Sequence, residues 1–76
     1  MMIEIYGKTF CPYCDKAKAL CERESYEYSY KELDKDFSRD EFFDIFPSAR
    51  TFPQIKIDGN DVGGYTELEA WSQNKG

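Results

Sequence analysis

The sequence predicts an α/β domain in which a mixed four-stranded sheet is packed by three helices, in the order β-α-β-α-β-β-α, with residues 1–76 forming one unit. Three observations lead there. Met2-Ile3-Glu4-Ile5-Tyr6 alternates apolar and polar residues as a half-buried strand does, and a helix-favouring run follows it from Pro12. Ser38-Arg39-Asp40-Glu41 spells a second helix start. Asp58-Gly59 separates two short strand-like runs, as in a tight hairpin. Strands joined through a helix are normally parallel with a right-handed crossover, whereas a hairpin is antiparallel, so the sheet has to be mixed.

The first strand ends at Gly7, and Lys8-Thr9-Phe10 reads as the loop leaving it. Proline is favoured at the first helical position, which makes Pro12 that position and Cys11 the N-cap. Tyr13 or Cys14, then Ala17, Leu20 and Cys21, recur at helical spacing, with charged residues opposite, over about three turns. Tyr26-Glu27-Tyr28-Ser29-Tyr30 places three tyrosines on one face of a short strand that suits a sheet edge. A charged connection over residues 31–36 leads to the second helix. There Ser38 and Glu41 form a capping box, Phe37 and Phe42 a hydrophobic staple, Phe42, Ile45 and Phe46 the inward face, and Pro47 the stop. Thr51-Phe52-Pro53 opens the third strand, Gln54-Ile55-Lys56-Ile57, which turns through Asp58-Gly59-Asn60 into a short fourth strand around Asp61-Val62. After Gly63-Gly64, Thr66 and Glu69 fit a second capping box, and Leu68 and Trp71 are expected to pack a brief last helix.

A chain of 76 residues has a small core, and its six Phe and six Tyr are expected to carry much of the burial. The formal charge of −5 is unevenly spread: residues 1–21 sum to +1, residues 22–48 to −5 and residues 49–76 to −1. An acidic chain without a basic stripe is a poor nucleic-acid binder. There is no signal-peptide pattern, lipidation motif or apolar run near the length of a membrane span, so a cytoplasmic protein away from membranes is expected. Three cysteines in that compartment point to redox chemistry more than to structural disulfides.

Cys11-Pro12-Tyr13-Cys14 is the stretch that carries chemistry. Side chains three residues apart at a helix start lie about 5–6 Å apart, and a disulfide needs Cα atoms within about 7 Å. Cys11 and Cys14 therefore close a ring with little movement. Cys21 lies about 10.5 Å further along the helix axis and is expected to be a small buried hydrophobe. With no histidine and no second cysteine pair, the chain lacks the ligands of a zinc site, and no metal is expected. The same lack of histidine leaves the helix terminus and nearby cations to activate a thiol. A thiol at the N-cap faces unpaired N–H groups and the positive end of the helix dipole, which lowers its pKa. Cys11 is thus the expected nucleophile and the more shielded Cys14 the resolving thiol. Lys8 is either a favourable charge beside Cys11 or an ordinary solvated lysine.

Taken together, Cys-Pro-Tyr-Cys after a first strand, Thr51-Phe52-Pro53 opening the third strand and Gly63-Gly64 before the last helix resemble the glutaredoxins of the dithiol, Cys-Pro-Tyr-Cys type, over about residues 2–71. The resemblance implies a thioredoxin fold, with reduction of protein disulfides and glutathione mixed disulfides at the expense of glutathione. It also implies Cys11 as nucleophile, Cys14 as resolving thiol and Tyr13 as a wall of the glutathione groove. Pro53 resembles the family's cis-proline, which would present the Phe52 backbone to an extended glutathione peptide beside Thr51. Gly64, Tyr65 and Thr66 match the segment that holds the γ-glutamyl end, and a helix start behind glycines offers N–H groups to a carboxylate. Thr66 either touches that ligand or only caps the helix. Arg39 and Arg50 are alternative partners for the glycyl carboxylate.

The expected protein is thus a glutathione-dependent thiol-disulfide oxidoreductase, acting as a monomer on disulfide-containing proteins, ribonucleotide reductase among the candidates. Three other readings stay open: a redoxin reduced by thioredoxin reductase, an iron–sulfur carrier in which Cys11 of two subunits and two glutathiones hold a cluster, and a binding module with vestigial thiols that shows no turnover.

Overall fold

A computed structural model describes residues 2–75 of the chain. The elements are β1 (Ile3–Gly7), α1 (Pro12–Arg23), β2 (Tyr28–Glu32), α2 (Arg39–Ile45), β3 (Gln54–Ile57), β4 (Asn60–Gly63) and α3 (Tyr65–Lys75). The strands form one sheet in the order β2-β1-β3-β4. β1 runs parallel to β2 and antiparallel to β3, and β3 runs antiparallel to β4. This is the mixed sheet with three helices that the sequence predicts.

Alternation along the central strands distributes the core over two faces. Ile3 and Ile5 of β1 and Ile55 and Ile57 of β3 pack with Ala17, Leu20 and Cys21 of α1 and Leu68 of α3. Tyr6 turns to the other face, where Phe37, Phe42 and Phe46 enclose it. Its ring centroid lies 5.4 Å from that of Phe37 and 5.1 Å from that of Phe46, both edge to face, the arrangement that aromatic quadrupoles favour. The capping box is present as expected: Ser38 Oγ accepts from the Glu41 amide at 3.1 Å, and Glu41 Oε1 accepts from the Ser38 amide at 2.8 Å. Phe37 and Phe42 stack with centroids 5.8 Å apart, which is the staple.

Three boundaries differ from the sequence expectation. β2 was expected at residues 26–30, yet it covers Tyr28–Glu32. The Tyr26 amide is taken by the Cys21 carbonyl at 2.8 Å, so pairing with β1 begins only at Glu27, whose carbonyl accepts from the Ile3 amide at 3.1 Å. Lys31, expected in a loop, instead pairs in register with Tyr6 and places its ammonium 3.0 Å from Glu4. The strand is at the sheet edge, as its tyrosines suggest. At the hairpin, Asp58 (φ 54°) and Gly59 (φ 84°) alone make the turn, and Asn60 already pairs with Ile57. Positive φ at both central positions is what a two-residue turn needs to match strand twist.

The third difference is the start of α3, which was expected at Thr66. The Leu68 amide donates to the Gly64 carbonyl at 3.0 Å, so Gly64 is the cap, and the helix runs for 11 residues. The reciprocal carboxylate belongs to Glu67, not Glu69: Glu67 Oε1 accepts from the Gly64 amide at 2.8 Å. Glu69 instead accepts from the Tyr65 hydroxyl at 3.2 Å. Thr66 therefore caps nothing. Gly63 precedes this start at φ 123°, a conformation open to glycine alone, and so turns β4 into the helix.

Candidate active site

The site assembles at the N-terminus of α1. Cys11 has extended φ and ψ (−125° and 99°) and caps the helix, with Pro12 in the first turn. The Cys14 amide donates to Cys11 Sγ at 3.3 Å, so the sulfur occupies the place of a capping oxygen. Cys11 and Cys14 are joined as a disulfide with Cα atoms 5.2 Å apart. Cys11 keeps 7% of its surface exposed and Cys14 none, which makes Cys11 the sulfur a partner can reach. Cys21 lies buried and unpaired in the core. Burial, with the Glu22 charge second, pushes its thiol up to about 11, the opposite of activation.

The loop before β3 comes back to these sulfurs. The Phe52–Pro53 bond is cis, as the resemblance implies, and the Phe52 carbonyl lies 3.9 Å from Cys11 Sγ. Beside it runs a groove of about 280 Å³, near the lower end of the volumes typical of small-molecule sites. Tyr13, the Thr51-Phe52-Pro53 segment and the Gly64-Tyr65-Thr66 segment line it. Tyr13 is 55% exposed, and its ring centroid stands 6.1 Å from that of Tyr65. Seven of the residues singled out from the sequence thus share one groove next to Cys11.

Lys8 is not part of that lining; its ammonium sits 5.5 Å from the centre of the Phe52 ring. Lys16 takes the same position over Tyr13 at 5.0 Å. The thiol face is therefore rimmed by cations resting on aromatic faces. Of the two arginines weighed for a carboxylate, Arg50 lines a neighbouring cavity of about 360 Å³ that shares Thr51 with the groove. Arg39 sits at the first position of α2.

Two residues were not anticipated. Glu67 lines the groove, and the signal for it was present as a carboxylate three residues after a glycine able to cap. Phe10 is fully exposed with φ 54°, immediately before Cys11. Nothing in its composition announces a left-handed phenylalanine. Among the described residues no group of three or more His, Cys, Asp or Glu is placed to hold a metal ion.

The arrangement can exchange a disulfide. One sulfur is reachable at a helix start, a second is held one turn on, and a groove with backbone polar groups lies alongside. Known proteins resemble the chain in both sequence and fold. The glutaredoxin family profile matches residues 3–62. Glutaredoxin 1 of Escherichia coli K12 is 35% identical over 80 residues, covering 93% of this chain and 92% of its own. The crystal structure of glutaredoxin 1 from Francisella tularensis complexed with cacodylate superposes with a TM-score of 0.82 at 31% identity, over 97% of this chain and 94% of that one. A buckwheat glutaredoxin–glutathione complex superposes at 0.81 with 25% identity, over 96% of this chain and 69% of its own.

Proposed function

The chain belongs to the glutaredoxin family and is a thiol-disulfide oxidoreductase of that type, and from this premise we propose that it draws its electrons from glutathione. The observation that carries the reading is the groove beside Cys11, whose polar groups match the parts of an extended tripeptide. The γ-glutamyl end of glutathione carries an ammonium and a carboxylate. The Glu67 carboxylate suits the first, and the N–H groups at the start of α3 suit the second. The Phe52 backbone lies within reach of the cysteinyl unit, and Lys8 and Arg50 suit the glycyl carboxylate. The buckwheat relative was crystallised with glutathione, which supports the same choice.

In this mechanism the Cys11 thiolate attacks a substrate disulfide. A mixed disulfide forms, and the first substrate sulfur leaves as a thiolate that takes a proton from water. Cys14, as thiolate, then attacks Cys11, releases the second substrate sulfur and leaves the Cys11–Cys14 disulfide present in this structure. Glutathione thiolate reopens that bond at Cys11, and a second glutathione frees Cys11 as oxidised glutathione departs. Two electrons pass in each half-cycle. Glutathione mixed disulfides need only Cys11, because glutathione itself resolves the intermediate.

The compartment that fits is the cytoplasm, where thiols are kept reduced; no helix among the described residues is long and apolar enough to cross a membrane. The substrates are disulfide-containing proteins, with ribonucleotide reductase among them, and the acting unit is a monomer. The deciding experiment is reduction of a glutathionylated small disulfide with either glutathione or thioredoxin reductase as the electron supply. Turnover is expected with glutathione only. Cys14→Ser should keep this activity and lose that on protein dithiol substrates, and Cys11→Ser should lose both. Turnover that depends on thioredoxin reductase, or that survives in Cys11→Ser, overturns the proposal.

A further inference from the structure

Cys14 presents a problem that the disulfide cycle does not itself solve. To attack Cys11 it must become a thiolate, yet it is fully buried, and among the described residues no polar or charged one is buried with it. Burial disfavours the charged form of a thiol. The chain has no histidine to help, and the capping contact at the start of α1 goes to Cys11. A hydroxyl that lies beside Cys14 at Gly7 comes from the edge strand. A Cβ added at Gly7 would lie 2.9 Å from Cys14 Sγ and 2.8 Å from Tyr30 Cζ, and would overlap the Tyr30 hydroxyl. The sulfur and the phenol head therefore face each other across the space that a side chain at position 7 would fill.

The parallel register of β1 and β2 puts Tyr30 there. Tyr30 pairs with Ile5 and so falls on the α1 side of the sheet, where it packs against the core. Lys18 of α1 covers its ring at 4.3 Å. The hydroxyl donates to the Lys8 carbonyl at 3.4 Å, beyond the 2.5–3.0 Å of a good O–H···O bond, and so has a weak partner to give up.

We propose that Tyr30 donates the hydrogen bond that holds the Cys14 thiolate while the disulfide is open, and thereby sets how readily the resolving thiol ionises. This deepens the dithiol mechanism above and depends on it for its role in turnover, but not for its test. The Cys14 proton goes to water, and the sulfur anion accepts from Tyr30 O–H. Its electron pair forms the bond to Cys11 as the bond from Cys11 to the substrate sulfur breaks. The substrate sulfur leaves with the other pair and takes a proton from water. Tyr30 keeps its own proton throughout, and its hydroxyl returns to the Lys8 carbonyl. Burial, then the charges of Glu32 and Asp15, favour the protonated phenol, so Tyr30 acts as a donor. The charged groups facing it are Asp15 and Lys18 from α1, which pair at 3.7 Å, and Glu32 from β2. The Lys8 ammonium lies over Phe52.

The test reads thiol ionisation and needs no electron donor, so it stands or falls separately from the glutathione assignment. In a Cys11→Ser background, the ¹³Cβ shift of Cys14 is followed against pH. Tyr30→Phe should raise the midpoint by about one pH unit, a tenfold loss of thiolate at a given lower pH, the scale of one hydrogen bond to a charged group. Tyr28→Phe, which removes a neighbouring hydroxyl from the same strand, should leave it unchanged. An unchanged midpoint in Tyr30→Phe, or an equal shift in both, overturns the proposal. Should Tyr30→Phe fail to fold, fluorotyrosine at position 30 keeps the shape with a more acidic hydroxyl. It should move the midpoint down, and no movement counts against the inference. With both cysteines present, Tyr30→Phe should slow reduction of protein disulfides. It should leave the reduction of glutathione mixed disulfides by a Cys14→Ser protein unaffected.

Discussion

The Gly64 amide donates to the Glu67 carboxylate at 2.8 Å, which fixes the start of α3 and holds a negative charge in the groove beside Cys11. Glu67 therefore has two separable duties. Glutamine serves a capping box as well as glutamate does, but it carries no charge. Glu67→Gln should keep stability within about 0.5 kcal/mol and raise KM for glutathione about two- to fivefold, the scale of an exposed ion pair. Glu67→Ala should raise KM similarly and also cost about 1 kcal/mol of stability. Thermal melts beside glutathione kinetics separate the two. Equal stability of both variants would show that the cap contributes nothing.

Phe10 offers a case in which a large side chain opposes the fold. A left-handed backbone costs a residue with a Cβ about 1–2 kcal/mol, and a fully exposed ring recovers nothing through burial. Glycine adopts φ 54° freely, at an unfolded-state entropy cost of about 0.5–1 kcal/mol. Phe10→Gly should therefore raise stability by up to about 1 kcal/mol, or about 4–8 °C in melting temperature for a domain of this size. Circular-dichroism melting checks this. A lower Tm would mean that the ring packs against the protein in solution.

Local signals were the ones most legible in the sequence. Cys11 with Pro12, and Ser38 with Glu41 and Phe37 with Phe42, each settle a helix start through contacts five or fewer residues apart, and the structure has each of them. The Asp58-Gly59 turn is of the same kind. The β2 boundary was not legible, because it is set by pairing with β1, more than 20 residues away. The α3 start was ambiguous, since Gly64 with Glu67 and Thr66 with Glu69 both fit a capping spacing; the turn at Gly63 brings the first into register. The groove depends on long-range placement as well. Phe52 reaches Cys11 across 41 positions of sequence, and its cis bond to Pro53 came only through the family resemblance.

Gly7 is required for space. A methyl group there would lie 2.8 Å from Tyr30 Cζ and 2.9 Å from Cys14 Sγ, closer than a carbon tolerates. Either the tyrosine or the thiol helix has to move. Gly7→Ala should cost about 1–3 kcal/mol, the usual range for overpacking. The double variant Gly7→Ala, Tyr30→Phe should lose less than the sum of the single changes, because removing the hydroxyl makes room for the methyl. Denaturant unfolding of the four proteins measures the coupling, and strict additivity would argue that the two positions do not touch.

Alkaline stability should reveal the buried Cys21. Its folded-state thiol is pushed from 9.0 up to about 11, chiefly by burial. A raised folded pKa means that above pH 9 the unfolded chain gives up the proton first. The unfolded state then binds fewer protons than the native one, and stability falls as pH rises. The contribution is fully present below about pH 9 and lost by about pH 11, with an upper size of about 2–3 kcal/mol from a shift of this extent. Tyr28 follows at higher pH. Its hydroxyl donates to Glu22 Oε2 at 2.6 Å, and that bond above all, with burial second, pushes it from 10.0 up to about 12. Wild type should therefore lose stability in two overlapping stages from about pH 9 to 12. Cys21→Ala should cost about 1 kcal/mol at neutral pH through the gap it leaves, and should remove the first stage. Urea midpoints measured from pH 7 to 11 check this, and a Cys21→Ala curve parallel to wild type across pH 9–11 would exclude the buried thiol as its origin.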